Sequence, residues 1–354
     1  MTAPASGQGE KRAPRVLGYR MPAEWERHEA IWLAWPHDVT TFPRLQEVEE
    51  AYVRIIAAIH LSEEVRLLAR DEPMRLRATR LLEKSGVDFR RVRFFIHPYA
   101  DVWFRDYGPI FILDSASERK AMVHWIFNAW GGKYEELIGD TRVPEMMLRE
   151  FPMPCFRPGI VLEGGSVDVN GKGTLLTTEQ CLLNKNRNTG LSREEIEKFL
   201  SDYLGANHVI WLKEGITGDD TDGHIDDIAR FTAPDTVLCA YEDDKNDANY
   251  EILRENYELL RGAKDQDGRS LKVIKLPMPG AVNDEHGRLP ASYANFYIGN
   301  STVLVPIFGH PNDAKALDVI QGALLGRKVV GIRCEHMVRG LGTVHCISQQ
   351  EPAV

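Results

Sequence analysis

The feature that most restricts this chain's fold is an order of segments that returns. From Ile228 the sequence reads as strands Ile228 to Phe231 and Thr236 to Tyr241, a helix around Tyr250 to Arg261, and a strand Leu271 to Leu276. From Tyr293 the order recurs, with strands Tyr293 to Ile298 and Thr302 to Pro306, a helix around Asp313 to Leu325, and a strand Lys328 to Ile332. Short apolar runs bounded by turn residues mark the strands, and apolar stripes at helical spacing mark the helices. A strand-strand-helix-strand unit at about 70-residue spacing is a repeat architecture, even though the copies align poorly. Five such units fit 354 residues. Set in a ring, they would bring loops from distant segments to one end of a central channel. Gly340 to Ile347, a glycine-flexed loop running into a short strand, is placed to close that ring.

The upstream half obeys the same grammar. Ile31 to Pro36 reads as a buried strand, and a helix Glu47 to His60 puts Val48, Ala51, Tyr52, Ile55, Ile56 and Ile59 on one face. Strand Val65 to Ala69 follows, then a helix started by Asp71 and Pro73 and ended by Gly86. Strands Val92 to Ile96, Ile110 to Leu113 and Met122 to Phe127 precede a short helix, Glu145 to Glu150. Asn170-Gly171 is a two-residue hairpin signal. Ser192 with Glu195 forms a capping box for a helix that stops at Gly205, before strand Val209 to Leu212. Residues 1–15 read as a flexible tail, and 16–354 as one α/β domain.

A net charge of -9 argues against nucleic acid and anionic membrane as partners, both of which need a basic face, and suits a small cationic substrate. No apolar run is long enough to span a bilayer, and Met1 to Pro14 lacks the apolar core of an export signal. The five cysteines are odd in number and widely spaced, so reduced thiols and a cytoplasmic location are expected.

Gly218 to Asp227 places five carboxylates beside His224. If the chain is extended from Gly223, His224 and Asp226 share a face and Ile225 takes the other. A carboxylate beside an imidazole orients it and holds its proton, which general acid-base chemistry uses; an acidic surface turn is the plainer reading. Trp103-Phe104-Arg105-Asp106 sets a carboxylate among aromatics, either as a guanidinium clamp or as a partner of Arg105 or a turn cap. Glu163-Gly164-Gly165 allows close backbone approach, or merely shapes a bend. Cys346, after its glycine-rich approach, is a candidate nucleophile or an inert core thiol. Cys334, His336, His345 and Cys346 offer a zinc set, though their spacing lacks paired knuckles. The run Glu242 to Asp247 reads as a solvated loop.

Met21 to Trp35, Trp103 to Asp106, Glu163-Gly164-Gly165, Gly223-His224-Ile225-Asp226 and His345-Cys346, in this order, resemble the agmatine deiminases. These are a branch of the guanidino-group-modifying family that also holds arginine and peptidylarginine deiminases. The resemblance implies a five-bladed pseudo-symmetric α/β propeller (pentein). It implies hydrolysis of agmatine to N-carbamoylputrescine and ammonia in polyamine biosynthesis, with no metal or cofactor. In that scheme Asp106 and Asp226 grip the guanidinium, and Cys346 attacks its carbon to give an amidino-cysteine intermediate. Protonated His224 helps to lower the thiol pKa, gives a proton to departing ammonia and then activates water. Glu163 hydrogen-bonds His224, Trp103 and Gly342 line the pocket, and Asp220 is the candidate for the distal ammonium. Relatives carry a third glycine where this chain has Leu341, and often Asn where it has Thr343; they also form dimers or larger assemblies, so a homo-oligomer is in view. The same chemistry on arginine or peptidyl arginine, and a silent cationic-amine-binding protein, are the alternatives.

Overall fold

The computed structural model describes residues 12–114 and 116–354. Five of its sheets are built alike: two antiparallel strands, then a crossover carrying helix, then a third strand parallel to the second. The sets are Ile110–Asp114, Arg119–Val123 and Cys155–Phe156; Asp168–Val169, Thr174–Thr178 and His208–Leu212; Ala229–Ala233, Thr236–Tyr241 and Lys272–Pro277; and Tyr297–Ile298, Thr302–Ile307 and Lys328–Arg333. The remaining set joins both ends of the sequence. Ser348–Pro352 pairs antiparallel with His28–Ala34, which pairs in parallel with Glu64–Ala69 and, beyond it, Val92–Ile96.

The helices follow their stripes. Leu45–Ile59 buries Val48, Ala51, Tyr52, Ile55, Ile56 and Ile59. Glu72–Lys84 starts at Asp71, whose carboxylate accepts the Met74 N–H at 2.8 Å. Arg193–Leu204 has both halves of the Ser192/Glu195 capping box, and it ends at Gly205 with φ +72°, a left-handed position that favours glycine. Residues 242–246 form the expected loop, while Asp247 is tied to Arg288 at 2.7 Å.

Three local readings change. The hairpin at Asn170-Gly171 is a four-residue loop, because the Asn170 side chain accepts the N–H groups of Lys172 and Thr174 and organises its own turn. Arg119–Val123 replaces the strand expected over Met122 to Phe127; Lys120 reaches Glu29 and Glu351 at 2.5 Å, so its charge is paired. Tyr293 to Phe296 stays out of the strand because the Ser292 hydroxyl donates to the Asp227 carbonyl and accepts the Ala294 N–H, competing with the ladder. The expected tail lies mostly outside the described residues, but its end is ordered. Pro14–Leu17 is a 3-10 turn, and Arg15 donates to Ser201 on helix Arg193–Leu204.

In each unit a turn precedes the first strand. These are Phe104–Tyr107, Gly164–Ser166, Ile225–Asp227, the turn at Tyr293 and Ala294, and the turn over residues 344–347. Asp106, Glu163, His224, Asp226 and Cys346 each fall in or beside one of them.

Candidate active site

Each of the five turns delivers polar groups to one buried place. Gly165 sits at its centre: a Cβ built there would lie 2.6 Å from His224 Nδ1, 2.8 Å from Asp106 Oδ1 and 3.2 Å from Asp226 Oδ2. The Gly165 N–H donates to Asp106 Oδ1 at 3.0 Å, and the Trp130 indole N–H donates to Asp106 Oδ2 at 3.0 Å. Asp226 Oδ2 meets His345 Nδ1 at 2.7 Å and lies 3.8 Å from Cys346 Sγ, while Asp226 Oδ1 is buried with no hydrogen-bond partner. His345 Nε2 meets Glu24 at 2.8 Å, and Glu24 continues to Arg230 at 2.6 Å. Asn295 donates its side-chain N–H to Cys346 Sγ at 3.0 Å.

The fields are set by burial. Burial pulls His224 down to about 3, with Arg187 adding to the fall and Asp226 opposing it, so the imidazole is neutral. Burial pushes the Cys346 thiol well above its ordinary value, and Asp226, Asp227 and Asp106 push it further. Burial, then Asp226 and Glu163, raises the Asp106 carboxyl in the same way. Burial works against Asp226 as an anion, yet His345, by hydrogen bond and charge, holds it below the usual carboxylate range. The site therefore holds more carboxyl oxygen than it can keep ionised, and a buried cation would relieve it.

Asp106 and Cys346 open onto a pocket of about 270 Å³, near the lower limit for small-molecule sites. Trp103 forms one wall, pressed by the glycine loop: a Cβ on Gly340 would meet Trp103 Cζ2 at 3.0 Å, and one on Gly342 would meet Cζ3 at 2.5 Å. Between them Leu341 adopts φ +69° and lines the pocket despite its side chain. Asp220 lines the outer part and accepts the Tyr134 hydroxyl. Among the residues that line the pocket the one cation is Arg339, which is held by Glu285.

The family model described as Porphyromonas-type peptidyl-arginine deiminase matches residues 20–352. The chain belongs to this family. It is 37% identical to the agmatine deiminase of Stutzerimonas stutzeri (strain A1501), over 96% of this chain and 97% of that protein. The agmatine deiminase of Medicago truncatula is also 37% identical, over 97% of this chain and 99% of the relative. A solved structure of the agmatine deiminase of Enterococcus faecalis, described as catalysing its reaction, superposes with a TM-score of 0.89 at 34% identity, covering 98% of this chain and all of that one.

Within this peptidyl-arginine deiminase-type chain the expected constellation of Cys346, His224, Asp226, Asp106, Trp103 and Gly342 comes together, and several details differ from the expectation. Residues 225–227 form a 3-10 turn and not an extended strand, because Asp219 accepts the N–H groups of Thr221, Gly223 and His224 and curls the segment. The acids with no assigned role thus hold the loop: Asp219 by those bonds, and Asp222 by pairs to Lys133 and Arg187. Glu163 does not hydrogen-bond His224. Its Oε1 is taken by Arg187 at 2.6 Å, and Glu163 Oε2 and His224 Nε2 are both left without partners although the groups lie within 4.8 Å. Arg105 does not pair with Asp106; it turns to Gln349 at 2.7 Å and toward Glu24 at 3.9 Å. The zinc set does not converge, since the His345 nitrogens are taken by Asp226 and Glu24, and Cys334 sits in the apolar core. The one candidate cluster among the described residues, Glu163, Cys181 and His224, is a different one.

Four residues of the site escaped sequence reasoning. Asn295 lies inside an apolar run that reads as strand, and a lone amide there was its only signal. Trp130 is carried by a left-handed turn, Ala129 to Gly132, with φ between +51° and +85°; the Gly131-Gly132 pair was the hint. Arg187 sits among Asn and Lys with nothing to distinguish it, and His345 was weighed as a zinc ligand and not as the partner of Asp226.

Proposed function

We propose that this chain is an agmatine deiminase, converting agmatine and water to N-carbamoylputrescine and ammonia. The observation that carries this reading is the pocket. A thiol and a carboxylate lie at its base, the other charged walls are Asp38, Asp101, Glu136 and Asp220, and the single cation, Arg339, is already paired. Such a pocket draws a guanidinium with a second amine and repels a free α-carboxylate.

The guanidinium enters between Asp106 and Asp226, whose free Oδ1 is a ready acceptor for its N–H groups. Its charge offsets the carboxylates that raise Asp106 and Cys346, so Asp106 ionises and the thiol becomes easier to deprotonate. Neutral His224, and not the protonated form expected from sequence, is available to accept a proton. The thiol proton passes to His224 as the sulfur bonds to the guanidinium carbon. The C–N bond to one nitrogen then breaks, and His224 returns its proton to that nitrogen, which leaves as ammonia. In the second half His224 takes a proton from water as the oxygen bonds to carbon; the C–S bond breaks, His224 passes that proton to the departing sulfur to restore the thiol, and the urea product releases its remaining O–H proton to solvent. Trp103 provides the flat wall that orients the guanidinium plane. Glu163 is held by Arg187 beside His224 without bonding it, and Asp220 is the acid nearest in role to a distal-amine acceptor, shared with Tyr134.

The remaining parts of the reading follow from the same resemblance. Residues 16–354 act as one domain, with the five like sheets as blades of a propeller. The pairing of Ser348–Pro352 with His28–Ala34 supports the closure. A cytoplasmic place in polyamine biosynthesis and a homo-oligomeric assembly complete it; no helix among the described residues is long and apolar enough to cross a membrane. Ammonia release from agmatine, arginine and a blocked peptidyl arginine, each with and without chelator, tests the assignment. Turnover of agmatine alone, lost in Cys346→Ser, is expected. Preference for either arginine substrate refutes the pocket argument, and loss on chelation refutes the metal-free mechanism.

A further inference from the structure

We infer that the side of His224 turned away from the pocket carries an inhibitory zinc site, in which Cys181, Glu163 and the imidazole bind one ion and withdraw His224 from the reaction. Only its kinetic consequence rests on the function proposed above. The three ligand atoms lie within 4.8 Å of one another, and all three residues are buried. Atoms so spaced share a point no more than about 2.8 Å from each, so inward movement of about 0.5–0.8 Å brings them to zinc bonds of about 2.0–2.3 Å. Glu163 Oε2 and His224 Nε2 are buried without hydrogen-bond partners, a vacancy that an ion fills. His224 Nδ1 faces Asp106 Oδ1 at 3.7 Å, so the nitrogen open to the ion is Nε2.

The frame around these atoms is built. Cys181 stands on the short helix Glu179–Leu182, whose cap is Thr178. The Thr178 hydroxyl accepts the Cys181 N–H at 3.1 Å and donates to the Gly223 carbonyl at 2.6 Å, which ties the thiol to the residue before His224. Arg187 holds Glu163 Oε1 at 2.6 Å and reaches the Thr221 carbonyl at 2.9 Å. A carboxylate behind the imidazole and a donor behind the ligating carboxylate are the supports that orient metal ligands. Sulfur, nitrogen and one oxygen suit zinc, whereas magnesium and calcium take oxygen. Without the ion, burial and then Glu163 keep the Cys181 thiol protonated. On binding, that proton leaves to solvent, and the thiolate and the Glu163 carboxylate offset the two charges of the ion. Arg187 keeps Asp222 as its partner at 2.8 Å. With zinc on Nε2 the imidazole carries its proton on Nδ1, so neither nitrogen can accept the Cys346 proton and turnover stops.

The test uses cobalt as a spectroscopic probe and zinc as the inhibitor, with long incubation because buried ligands are reached through local opening. In Cys346→Ser, where the catalytic thiol cannot compete, cobalt should give a sulfur-to-metal charge-transfer band at one ion per chain, bleached by zinc. Adding Cys181→Ser should remove the band; Cys155, Cys239 and Cys334 are common to both proteins. With Cys346 intact, zinc should inhibit ammonia release from agmatine and a chelator should restore it. Cys181→Ser, read against its own metal-free rate, should need about 100-fold more zinc for half inhibition, since losing a ligand costs at least as much as losing a support behind one. No band in Cys346→Ser overturns the inference, as expected if Glu163 and His224 close on each other by a direct hydrogen bond. A band that survives in the double variant, or equal inhibition of wild type and Cys181→Ser, overturns it too, because the ion then sits elsewhere. Should Cys181→Ser fail to fold, Cys181→Ala is measured in the same way. The cobalt band needs no agmatine, so a wild type inactive on agmatine refutes the substrate assignment and leaves the metal result standing.

Discussion

Gly165→Ala isolates the geometry of the site from its chemistry. The backbone at Gly165 is not left-handed, so alanine fits its torsions and the only obstacle is space. A methyl there would stand 2.6 Å from His224 Nδ1 and 2.8 Å from Asp106 Oδ1, about 0.8 Å short of ordinary contact. No flexible chain end lies in the way; both neighbours are short, buried side chains. They must move by several tenths of an ångström, and a displacement near 1 Å at reacting groups costs about 100-fold in rate. Overpacking costs about 1–3 kcal/mol, offset by about 0.4–1 kcal/mol from the less flexible unfolded chain, so the net loss of stability is about 0–2.6 kcal/mol. Gly164→Ala is the contrast, because its methyl would meet the Arg105 carbonyl oxygen at 2.3 Å, backbone that cannot rotate away. Steady-state kinetics on agmatine beside urea melts of both variants separate the two effects. Gly165→Ala should fold and lose about two orders of magnitude in kcat/KM, while Gly164→Ala should lose much more stability. A Gly165→Ala enzyme within about threefold of wild type would refute the claim that His224, Asp106 and Asp226 converge on this glycine.

Arg187→Met strips the buried Glu163 carboxylate, and the half-buried Asp222, of their shared partner and should cost about 3–5 kcal/mol in urea unfolding; a loss under about 1 kcal/mol refutes the network. Glu285→Ala frees Arg339 at the pocket, leaving Asp284 at 4.0 Å, and should raise KM for agmatine about two- to fivefold at low salt and little at high salt. A KM unchanged at low salt would detach Arg339 from substrate binding. Burial raises the Asp140 carboxyl from 3.8 to about 7, against the pull of the Ala100 and Asp101 N–H groups. A carboxyl raised on folding contributes stability in full below about pH 4 and loses it as pH climbs through about 7. Asp140→Asn cannot ionise, so relative to wild type its stability should improve by about 2–4 kcal/mol between pH 5 and pH 8; a pH-independent difference in thermal melts sinks that assignment.

Strand and helix positions were legible because apolar spacing records burial directly, as in Leu45–Ile59 and Thr236–Tyr241. Asp106, His224, Asp226 and Cys346 were legible because their residue types sit in unusual company and because the order of motifs resembles a known family. What stayed hidden depends on contacts across great sequence distances. The Asn295 donation to Cys346 spans 51 positions, and the Trp130 bond to Asp106 requires a left-handed turn that no hydropathy pattern encodes. The direction of Glu163 was misread for the same reason: Arg187, 24 positions downstream, claims it, and no local rule announces that claim. Protonation was the least legible, because the fall of His224 to about 3 is made by burial, which adjacent aspartates conceal in a one-dimensional reading.

The pairing of Ser348–Pro352 with His28–Ala34 has a consequence in time. Trp32 and Glu351 bond across 319 positions, so at the ribosome's pace of about 5–20 residues per second the first strand waits roughly 16–60 s for its neighbour. Throughout that interval the His28–Ala34 edge, rich in apolar side chains, is open to other growing chains. Cys346 stands two positions before the strand that covers this edge. Protection against aggregation and the capacity to react therefore arrive in the same second, and a chain interrupted earlier carries neither.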